Sequence, residues 1–405
     1  MVFLRYKLYF YFLKIQTVYH LTHLTYYGSF WGSLSLDCFF HKPKGGIIIK
    51  TKSLFSSLLV WVMTLSLLSG CSSQIATTDK TPPSQQQPQS GGETSQGAEN
   101  SPVKTGLSTA ASVSSSADAA GEQEGVAQSD ITLVAVTVDE QGVIHKCVID
   151  EIRCGIQFNT QGTMTTDPTA QFPSKNELGR SYGMHTASSI DKDWSEQAAA
   201  FARYAVGKTV DEVENMAISR DNANSNADLS ASVTLFTGNF VEGIRKAVEN
   251  AQHLGAQKGD DLKLVSTTDT SKSTSATGQE PGTAQADVTI AAVTTDGRAF
   301  TSCLLDGVQT QVSFDASGKI TSDLNTRFST KNELGRSYGM HTASSIDKDW
   351  SEQAAAFARY VTGKTPKDVA GIAVDEQQKP TQADLTTSVT LSIGDFQALL
   401  SKAGL

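Results

Sequence analysis

Side chains that bind rings and phosphates are concentrated in one stretch that the chain contains twice. Residues 175–204 and 331–360 are identical, letter for letter. A tyrosine in such a stretch can stack on a ring, and an arginine or serine can hold a phosphate. The residues expected to line a pocket are Arg180, Tyr182, Met184, His185, Ser188 and Ser189 in the first copy and Arg336, Tyr338, Met340, His341, Ser344 and Ser345 in the second.

Some residues of this block have a structural interpretation beside the functional one. A single histidine such as His185 is more often exposed or hydrogen-bonded than catalytic. Trp194 and Trp350 stand at the start of a predicted helix and are expected to anchor it to the core rather than to stack on a ligand. A recent duplication would also leave two identical copies, so identity alone does not indicate selection for a site.

The duplication extends beyond the identical block. The same offset of 156 residues holds without a gap from Cys147 and Cys303 to Thr234 and Thr390. This period is too long for a solenoid unit and matches the size of a small domain. We therefore predict two tandem domains, at 129–256 and 286–405.

Each copy begins with patterns typical of antiparallel strands. β-branched runs at 131–138 and 288–295 are followed by turns that contain Asp and Gly, a strong hairpin signal. The chain returns through 143–149 and 299–305, and a third strand is predicted at 155–158 and 311–314, before turns at Gly162 and Gly318. The pattern predicts an antiparallel meander in each copy.

Helices are predicted in the second part of each copy. Asp193 and Glu196 form a capping box, and the apolar residues that follow recur at helical spacing until Gly207. A second short helix is predicted to begin at Thr209 and at Thr365. The terminal helices carry Phe240, Ile244, Ala247 and Val248 or Phe396, Leu399 and Leu400. The predicted fold class is α+β, with two tandem repeats that are each a small antiparallel sheet packed by helices.

The segment before each terminal helix carries a motif. It reads Asp-Leu-Ser-Ala-Ser-Val-Thr at 228–234 and Asp-Leu-Thr-Thr-Ser-Val-Thr at 384–390. With the hairpin and the middle helical region, this motif resembles the FMN-binding domain family of exported flavoproteins and of electron-transfer subunits in membrane reductases. The resemblance implies that Thr234 and Thr390 accept FMN through a phosphoester bond made by a dedicated FMN transferase. It also makes Asp228 and Asp384 the motif aspartates.

The residue types are consistent with that role. A phosphoester needs an aliphatic hydroxyl, and a carboxylate six residues earlier can orient it or hold Mg²⁺ during transfer. A loop before a helix also offers backbone N–H groups to a phosphate. Serine replaces the family's glycine, and a plain β-strand before the helix is the alternative. The cofactor-binding residues that we predict are Thr234, Thr390, Asp228, Asp384, Ser232, Ser388, Tyr182, Tyr338, His185 and His341.

The N-terminal part resembles an export signal. Lys50 and Lys52 precede an apolar run of about fifteen residues that ends in Leu-Ser-Gly-Cys71. This ending resembles a bacterial lipobox, which implies cleavage before Cys71 and a diacylglycerol on its sulfur. The run is short for a membrane-spanning helix, which is the alternative. We predict a lipoprotein signal peptide at 50–71 and an upstream extension at 1–49, as a start assigned too early would produce.

Two stretches are poor in large apolar residues. They are rich in Ser, Thr, Gln, Gly and Ala, so burial would not offset the entropy lost on ordering them. The composition predicts a disordered tether at 72–128 and a flexible linker at 257–285.

Charge and cysteine content exclude several classes of function. The net charge is −9, and the first 71 residues contain a single acidic residue, Asp37, so the remainder is more acidic than the whole chain. Such a chain repels phosphate backbones, which argues against nucleic-acid binding.

Cys147, Cys154 and Cys303 are predicted to be buried thiols, with a Cys147–Cys154 disulfide as the alternative, and no spacing indicates a metal site.

Several common catalytic and nucleotide-binding motifs are absent from the sequence, which reduces the classes of function to consider. The sequence contains no nucleophile elbow, P-loop, dinucleotide fingerprint or HExxH motif, which favours an electron-transfer or binding protein over a self-contained enzyme. We expect an exported, lipid-anchored FMN-binding protein on the outer face of the cell membrane, carrying electrons from a membrane reductase. The alternative is a non-catalytic surface lipoprotein whose two repeats bind a small ligand, a cell-wall component or a partner protein.

Overall fold

The computed structural model describes residues 100–215, 229 and 231–404. Within them, two three-stranded antiparallel sheets are packed with helices, which confirms the predicted mixed α+β class. The predicted upstream extension, the signal peptide and Cys71 lie outside the described residues.

The first sheet is a meander with the strand order β1-β2-β3. β1 spans Lys104–Ser112, β2 spans Gly125–Val138 and β3 spans Ile144–Phe158. β2 and β3 form the predicted hairpin, whose turn contains Gly142 at a φ of 79°. The predicted third strand at 155–158 is the end of β3, because pairing with β2 keeps one register from Lys146 as far as Phe158.

The second sheet has the same arrangement, in the order β4-β5-β6. β4 spans Asp261–Asp269, β5 spans Gly282–Thr295 and β6 spans Phe300–Phe314. Its strands contain 9, 14 and 15 residues, the same lengths as in the first sheet. The predicted strand at 311–314 is likewise the end of β6.

β1 and β4 were not predicted as strands. They lie in residues that composition assigned to the tether and the linker. β1 and the start of β2 fall within 72–128, and β4 and the start of β5 fall within 257–285. The prediction of disorder is therefore wrong for these strands. Their small polar side chains give little apolar signal, yet Thr105 is 0% exposed and Ser266 is 4% exposed. Tertiary packing orders them, which no local composition can reveal.

The two sheets pack face to face around one shared core, so the copies are not separately tethered domains. This core combines Leu107, Ile131, Leu133, Ala135 and Ile152 of the first sheet with Leu262, Val288, Ile290, Ala292 and Val308 of the second. Strand residues alternate between the two faces of a sheet, so one face of each meander is buried against the other copy.

The predicted turns after β3 and β6 tie the two copies together. The carbonyl of Gly162 accepts a hydrogen bond from the Ala276 N–H at 2.7 Å, and the carbonyl of Gly318 accepts one from the Ala119 N–H at 2.8 Å. Gly318 has a φ of 72°, and a Cβ there would lie 2.7 Å from the carbonyl oxygen of Asn159. Both the backbone angle and the close approach of the other copy require glycine at this position.

Helices pack against the remaining face of each sheet. Capping boxes begin the helices at Asp193 and Thr209, as predicted, and the helix predicted to start at Thr365 also begins with a capping box. Trp194 and Trp350 are 3% and 6% exposed, which confirms that they are core anchors. The α-helices within the described ranges include α1 (Lys175–Leu178), α2 (Trp194–Ala205), α3 (Val210–Glu214), α4 (Gly238–Glu249), α5 (Lys331–Leu334), α6 (Trp350–Val361), α7 (Pro366–Ala370), α8 (Ala383–Thr386) and α9 (Gly394–Ala403).

The cysteines of the described residues are free thiols. Cys147 and Cys154 lie seven residues apart on β3, so their side chains project from opposite faces and cannot form the alternative disulfide. Burial raises the pKa of the Cys147, Cys154 and Cys303 thiols to about 12. A raised pKa favours the protonated thiol, which is a poor nucleophile.

Candidate functional site

The two candidate acceptor threonines lie in loops that precede the terminal helices. Thr234 lies shortly before α4, and Thr390 lies between α8 and α9. The Val389 N–H donates to the carbonyl of Leu385 at 2.9 Å, which makes a turn at the end of α8. The alternative of a plain β-strand here is therefore wrong, because the backbone turns back on the helix and buries Val389, which is 1% exposed.

A buried glutamine binds each threonine. The Oε1 atom of Gln197 accepts hydrogen bonds from the Thr234 backbone N–H at 2.7 Å and from its hydroxyl at 3.1 Å. The amide nitrogen of Gln197 contacts Ser188 Oγ at 3.2 Å and donates to the carbonyl of Lys192 at 3.1 Å. The candidate acceptor and the duplicated loop are thus parts of one hydrogen-bonded unit.

The second copy repeats this unit. Oε1 of Gln353 accepts from the Thr390 N–H at 2.7 Å and from its hydroxyl at 3.2 Å. The Gln353 amide nitrogen contacts Ser344 Oγ at 3.2 Å and donates to the Lys348 carbonyl at 3.0 Å. Gln353 and its counterpart Gln197 are each 0% exposed. Sequence reasoning missed both glutamines; the available signal was a polar residue among the apolar positions of the first helical turns.

Serine stands at positions 232 and 388, where the family that the sequence resembles has glycine. Among the described residues other than glycine, positive φ angles occur at Asp191, Asp347 and Gln378. Ser232 and Ser388 are not in that group, so neither position needs the freedom of glycine. Beside Thr234, the Lys192 ammonium lies 3.2 Å from the Ser232 hydroxyl, which places a positive charge on this loop.

The motif aspartate does not orient the acceptor hydroxyl in the second copy. Asp384 is exposed in α8, and the hydroxyl of Thr390 is bonded to Gln353 instead. Burial and the nearby Asp384 charge raise the pKa of Tyr360. The expected orienting carboxylate is therefore replaced by a neutral amide, because the helix carries Asp384 toward Tyr360. Asp228 lies outside the described residues.

Each histidine of the duplicated loop is paired with a buried aspartate. Nδ1 of His185 lies 2.8 Å from Asp193 Oδ2, and Nδ1 of His341 lies 3.2 Å from Asp349 Oδ1. Burial opposes ionisation of Asp193, yet hydrogen bonds from His185 and from backbone amides lower its pKa overall. A charged carboxylate beside Nδ1 favours a proton on that nitrogen. The interpretation of His185 as a hydrogen-bonded residue is confirmed.

The tyrosines of the loop have a structural partner as well. Tyr182 and Tyr338 are half-buried against the two helix-covered cores. The ammonium of Lys175 lies 4.8 Å from the centre of the Tyr182 ring, and that of Lys331 lies 5.3 Å from the centre of the Tyr338 ring. Each tyrosine ring therefore lies beside a lysine ammonium of its own copy.

The other residues predicted to line a pocket lie in different environments. Arg180 is exposed and makes long ion pairs with Asp191 at 3.9 Å and Glu196 at 3.6 Å. In the second copy, Arg336 makes similar pairs, with Asp347 at 3.8 Å and Asp349 at 3.9 Å. Met184 and Met340 pack on the cores. Ser189 and Ser345 make no hydrogen bond through their side chains in the described part of the chain.

Comparison of the chain with protein-family models, curated proteins and solved structures finds no match. In the part that the structure describes, no group of three or more His, Cys, Asp or Glu is arranged to hold a metal ion. None of the helices in that part combines the length and the apolar character needed to span a bilayer.

Proposed function

We propose that the chain is an exported, lipid-anchored flavin carrier in which Thr234 and Thr390 hold FMN through phosphoester bonds. One observation carries the proposal: in both copies, the candidate hydroxyl lies in a loop before the terminal helix and is bonded to the buried glutamine of the duplicated block. Two copies that have diverged elsewhere keep the same geometry at this threonine.

The residues around Thr234 are compatible with the phosphate of FMN. Thr234 itself is exposed, so an aliphatic hydroxyl is accessible to a transferase. The Lys192 ammonium beside Ser232 provides a positive charge for the phosphate. The backbone N–H of Thr234 is already bonded to Gln197, so the loop would hold the phosphate through side chains and not through a cradle of free amides.

Bound FMN would supply the redox chemistry, and the chain's own residues would position it. Gln197 and Gln353 hold the threonines, and an amide oxygen is too weak a base to deprotonate a hydroxyl, so the transferase would supply the base. The lysine–tyrosine pairs and the histidine–aspartate pairs lie on the same duplicated block.

The shared core changes how two flavins would work together. Because the sheets of both copies pack on each other, the acceptor loops belong to one body and would keep a constant separation. Lipid on Cys71 would hold this body at the outer face of the membrane, near a membrane reductase. A single tethered body has a high effective concentration at that surface.

Intact mass and in-gel flavin fluorescence after co-expression with an FMN transferase test this function. We expect two phosphoester-linked FMN groups in the wild type, one in Thr234→Ala or Thr390→Ala, and none in the double variant. Thr234→Ser, which keeps a hydroxyl, is the matched control and should still be loaded. Unmodified, colourless wild-type protein beside a transferase that modifies its own known substrate would exclude the proposal.

A second candidate function is a non-catalytic surface lipoprotein that binds a small ligand, a cell-wall component or a partner protein. The observation that favours it is a groove of about 410 Å³ between the copies, lined by Lys246, Asn250, Asp306, Asn332 and Glu333 among others. In this case the groove, and not the threonine loop, would be the functional surface. Purified protein that stays colourless but binds a cell-wall fragment would support this candidate.

A further inference from the structure

The duplicated block places one lysine of the first copy inside a cage of aromatic and acidic groups. Lys175 is 4% exposed, and its ammonium forms a salt bridge with Glu151. The same ammonium lies 4.8 Å from the centre of the Tyr182 ring and 4.9 Å from that of Trp194. The buried charge therefore has both a counterion and two aromatic faces.

The second copy has the same lysine and rings without the carboxylate. The ammonium of Lys331 lies 5.3 Å from the centre of the Tyr338 ring and 5.1 Å from that of Trp350. The position of Glu151 is occupied here by Gly307. Among the described residues, no Asp or Glu oxygen lies within 4.0 Å of the Lys331 ammonium.

The charged groups nearby do not neutralise Lys331. Lys272, which interacts electrostatically with Tyr338, forms a salt bridge with Asp287 at 2.7 Å, so this pair adds no net charge. The carboxylate of Asp306 accepts hydrogen bonds from the Gly307 N–H at 2.7 Å and the Asn332 N–H at 3.1 Å. A half-buried ammonium flanked by two rings thus has no carboxylate partner of its own.

The backbone φ angle does not require glycine at position 307. Gly307 lies in β6 and is not among the glycines with positive φ. A Cβ there would lie 3.2 Å from Lys331 Cδ and 3.2 Å from the Val288 carbonyl oxygen. The first contact is with a flexible side chain and the second is a tight contact with a backbone oxygen, and the exchange of glutamate for glycine removes the counterion that the first copy has.

We propose that Lys331, Tyr338 and Trp350 form a binding site for a small oxyanion, a carboxylate or a phosphate, that takes the role Glu151 has in the first copy. The first copy carries its anion in its own sequence and is closed to ligands. The second copy recruits the anion from solution. This site is separate from the threonine loop and does not depend on flavin attachment.

Titration of the full chain with acetate and with inorganic phosphate at constant ionic strength tests the site. Intrinsic tryptophan fluorescence reports the environment of Trp350. We expect a saturable change in the wild type, and an affinity about tenfold lower or worse in Lys331→Gln and in Gly307→Glu, since each removes a charge-assisted bond to the ligand. Tighter binding of acetate assigns the site to carboxylates, and tighter binding of phosphate assigns it to phosphates.

Two further variants make the test specific. Glu151→Gly should open an equivalent site at Lys175 and add a second response, from Trp194. Lys364→Gln removes an ammonium that lies 4.4 Å from the centre of the Tyr360 ring alone, and it should leave the affinity unchanged. A wild type that responds to neither anion would overturn the proposal, as would an affinity that is the same in Lys331→Gln and Gly307→Glu as in the wild type.

Discussion

Phe158 and Phe314 stack on each other across the two copies, with ring centres 4.1 Å apart and ring planes 2° from parallel. They occupy equivalent positions, at the ends of β3 and β6. Both rings are 0% exposed. The duplicated residues therefore meet each other, and each copy buries in its partner a surface that an isolated copy would expose.

Replacing Phe314 with alanine should destabilise both copies together. The cavity left beside Phe158 should lower the free energy of unfolding by about 3–5 kcal/mol, measured by urea denaturation, and the chain should still unfold in one transition. Phe236→Ala is the control, because Phe236 is 59% exposed and its loss should change little. Two separate transitions, with only one shifted, would show that the copies are independent.

A side chain at Gly318 should disturb the contact between the copies. Alanine there must adopt a φ of 72° and would place its Cβ 2.8 Å from that of Ala119. Gly142→Ala is the control, with a φ of 79° and no atom within 4 Å of the added Cβ. Both lose about 1 kcal/mol from backbone strain, and thermal unfolding should show a further loss for Gly318→Ala alone. Equal losses would mean that this turn does not hold the copies together.

Stability should fall as the pH rises from about 4 to about 6. Burial raises the pKa of Asp150 and of Asp306 from 3.8 to about 6. The native state therefore binds more protons than the unfolded state in this window, so each group lowers the free energy of unfolding by about 3 kcal/mol once the pH exceeds 6. In Asp306→Asn, this part of the fall should disappear from urea unfolding curves measured at several pH values.

The opposite sign is expected at an exposed carboxylate. The Ser317 hydroxyl and backbone amides lower the pKa of Asp315, so its contribution to stability is present above pH 4 and is lost as the pH falls. Asp315→Asn should therefore weaken the chain at pH 7 and not at pH 3.

For the first of these two predictions, a fall in stability between pH 4 and pH 6 that is as steep in Asp306→Asn as in the wild type would contradict the raised pKa of Asp306.

Gln353→Leu should release the Thr390 loop. The change leaves the Thr390 N–H without its acceptor and costs about 1–3 kcal/mol for a buried unpaired group. Hydrogen exchange at the Thr390 amide should become faster, and the loop should become more sensitive to protease. Gln377→Leu, at an exposed position, is the control and should change neither. Unaltered exchange at Thr390 would show that Gln353 does not hold the loop.

The three thiols, of which Cys154 and Cys303 are buried and Cys147 is half-buried, should react mainly when the chain unfolds. With pKa values raised to about 12, Cys147, Cys154 and Cys303 should resist a maleimide at pH 7 and react fully in urea. Peptide mass mapping distinguishes the three sites. A native Cys147–Cys154 disulfide would instead appear as a linked peptide that remains unreactive in urea without a reductant.

The local elements of the site were predictable from the sequence, but the hydrogen bonds between distant residues were not. The capping boxes at Asp193 and Thr209 follow from local sequence, and the structure has both. The threonine loop was predicted from a motif, but its partner Gln353 lies 37 residues away. Nothing in the spacing of Thr390 indicates that an amide, and not the motif carboxylate of Asp384, holds its hydroxyl.

Local sequence predicts the duplication, the longer helices and the hairpins, because caps, Asp-Gly turns and apolar spacing act over a few residues. It does not predict that Lys104–Ser112 and Asp261–Asp269 are strands or that the two repeats share the core between their sheets. A strand of small polar residues has little drive to order alone. It becomes ordered when a second copy covers it, since burial of a whole sheet face depends on contacts between residues far apart in the chain.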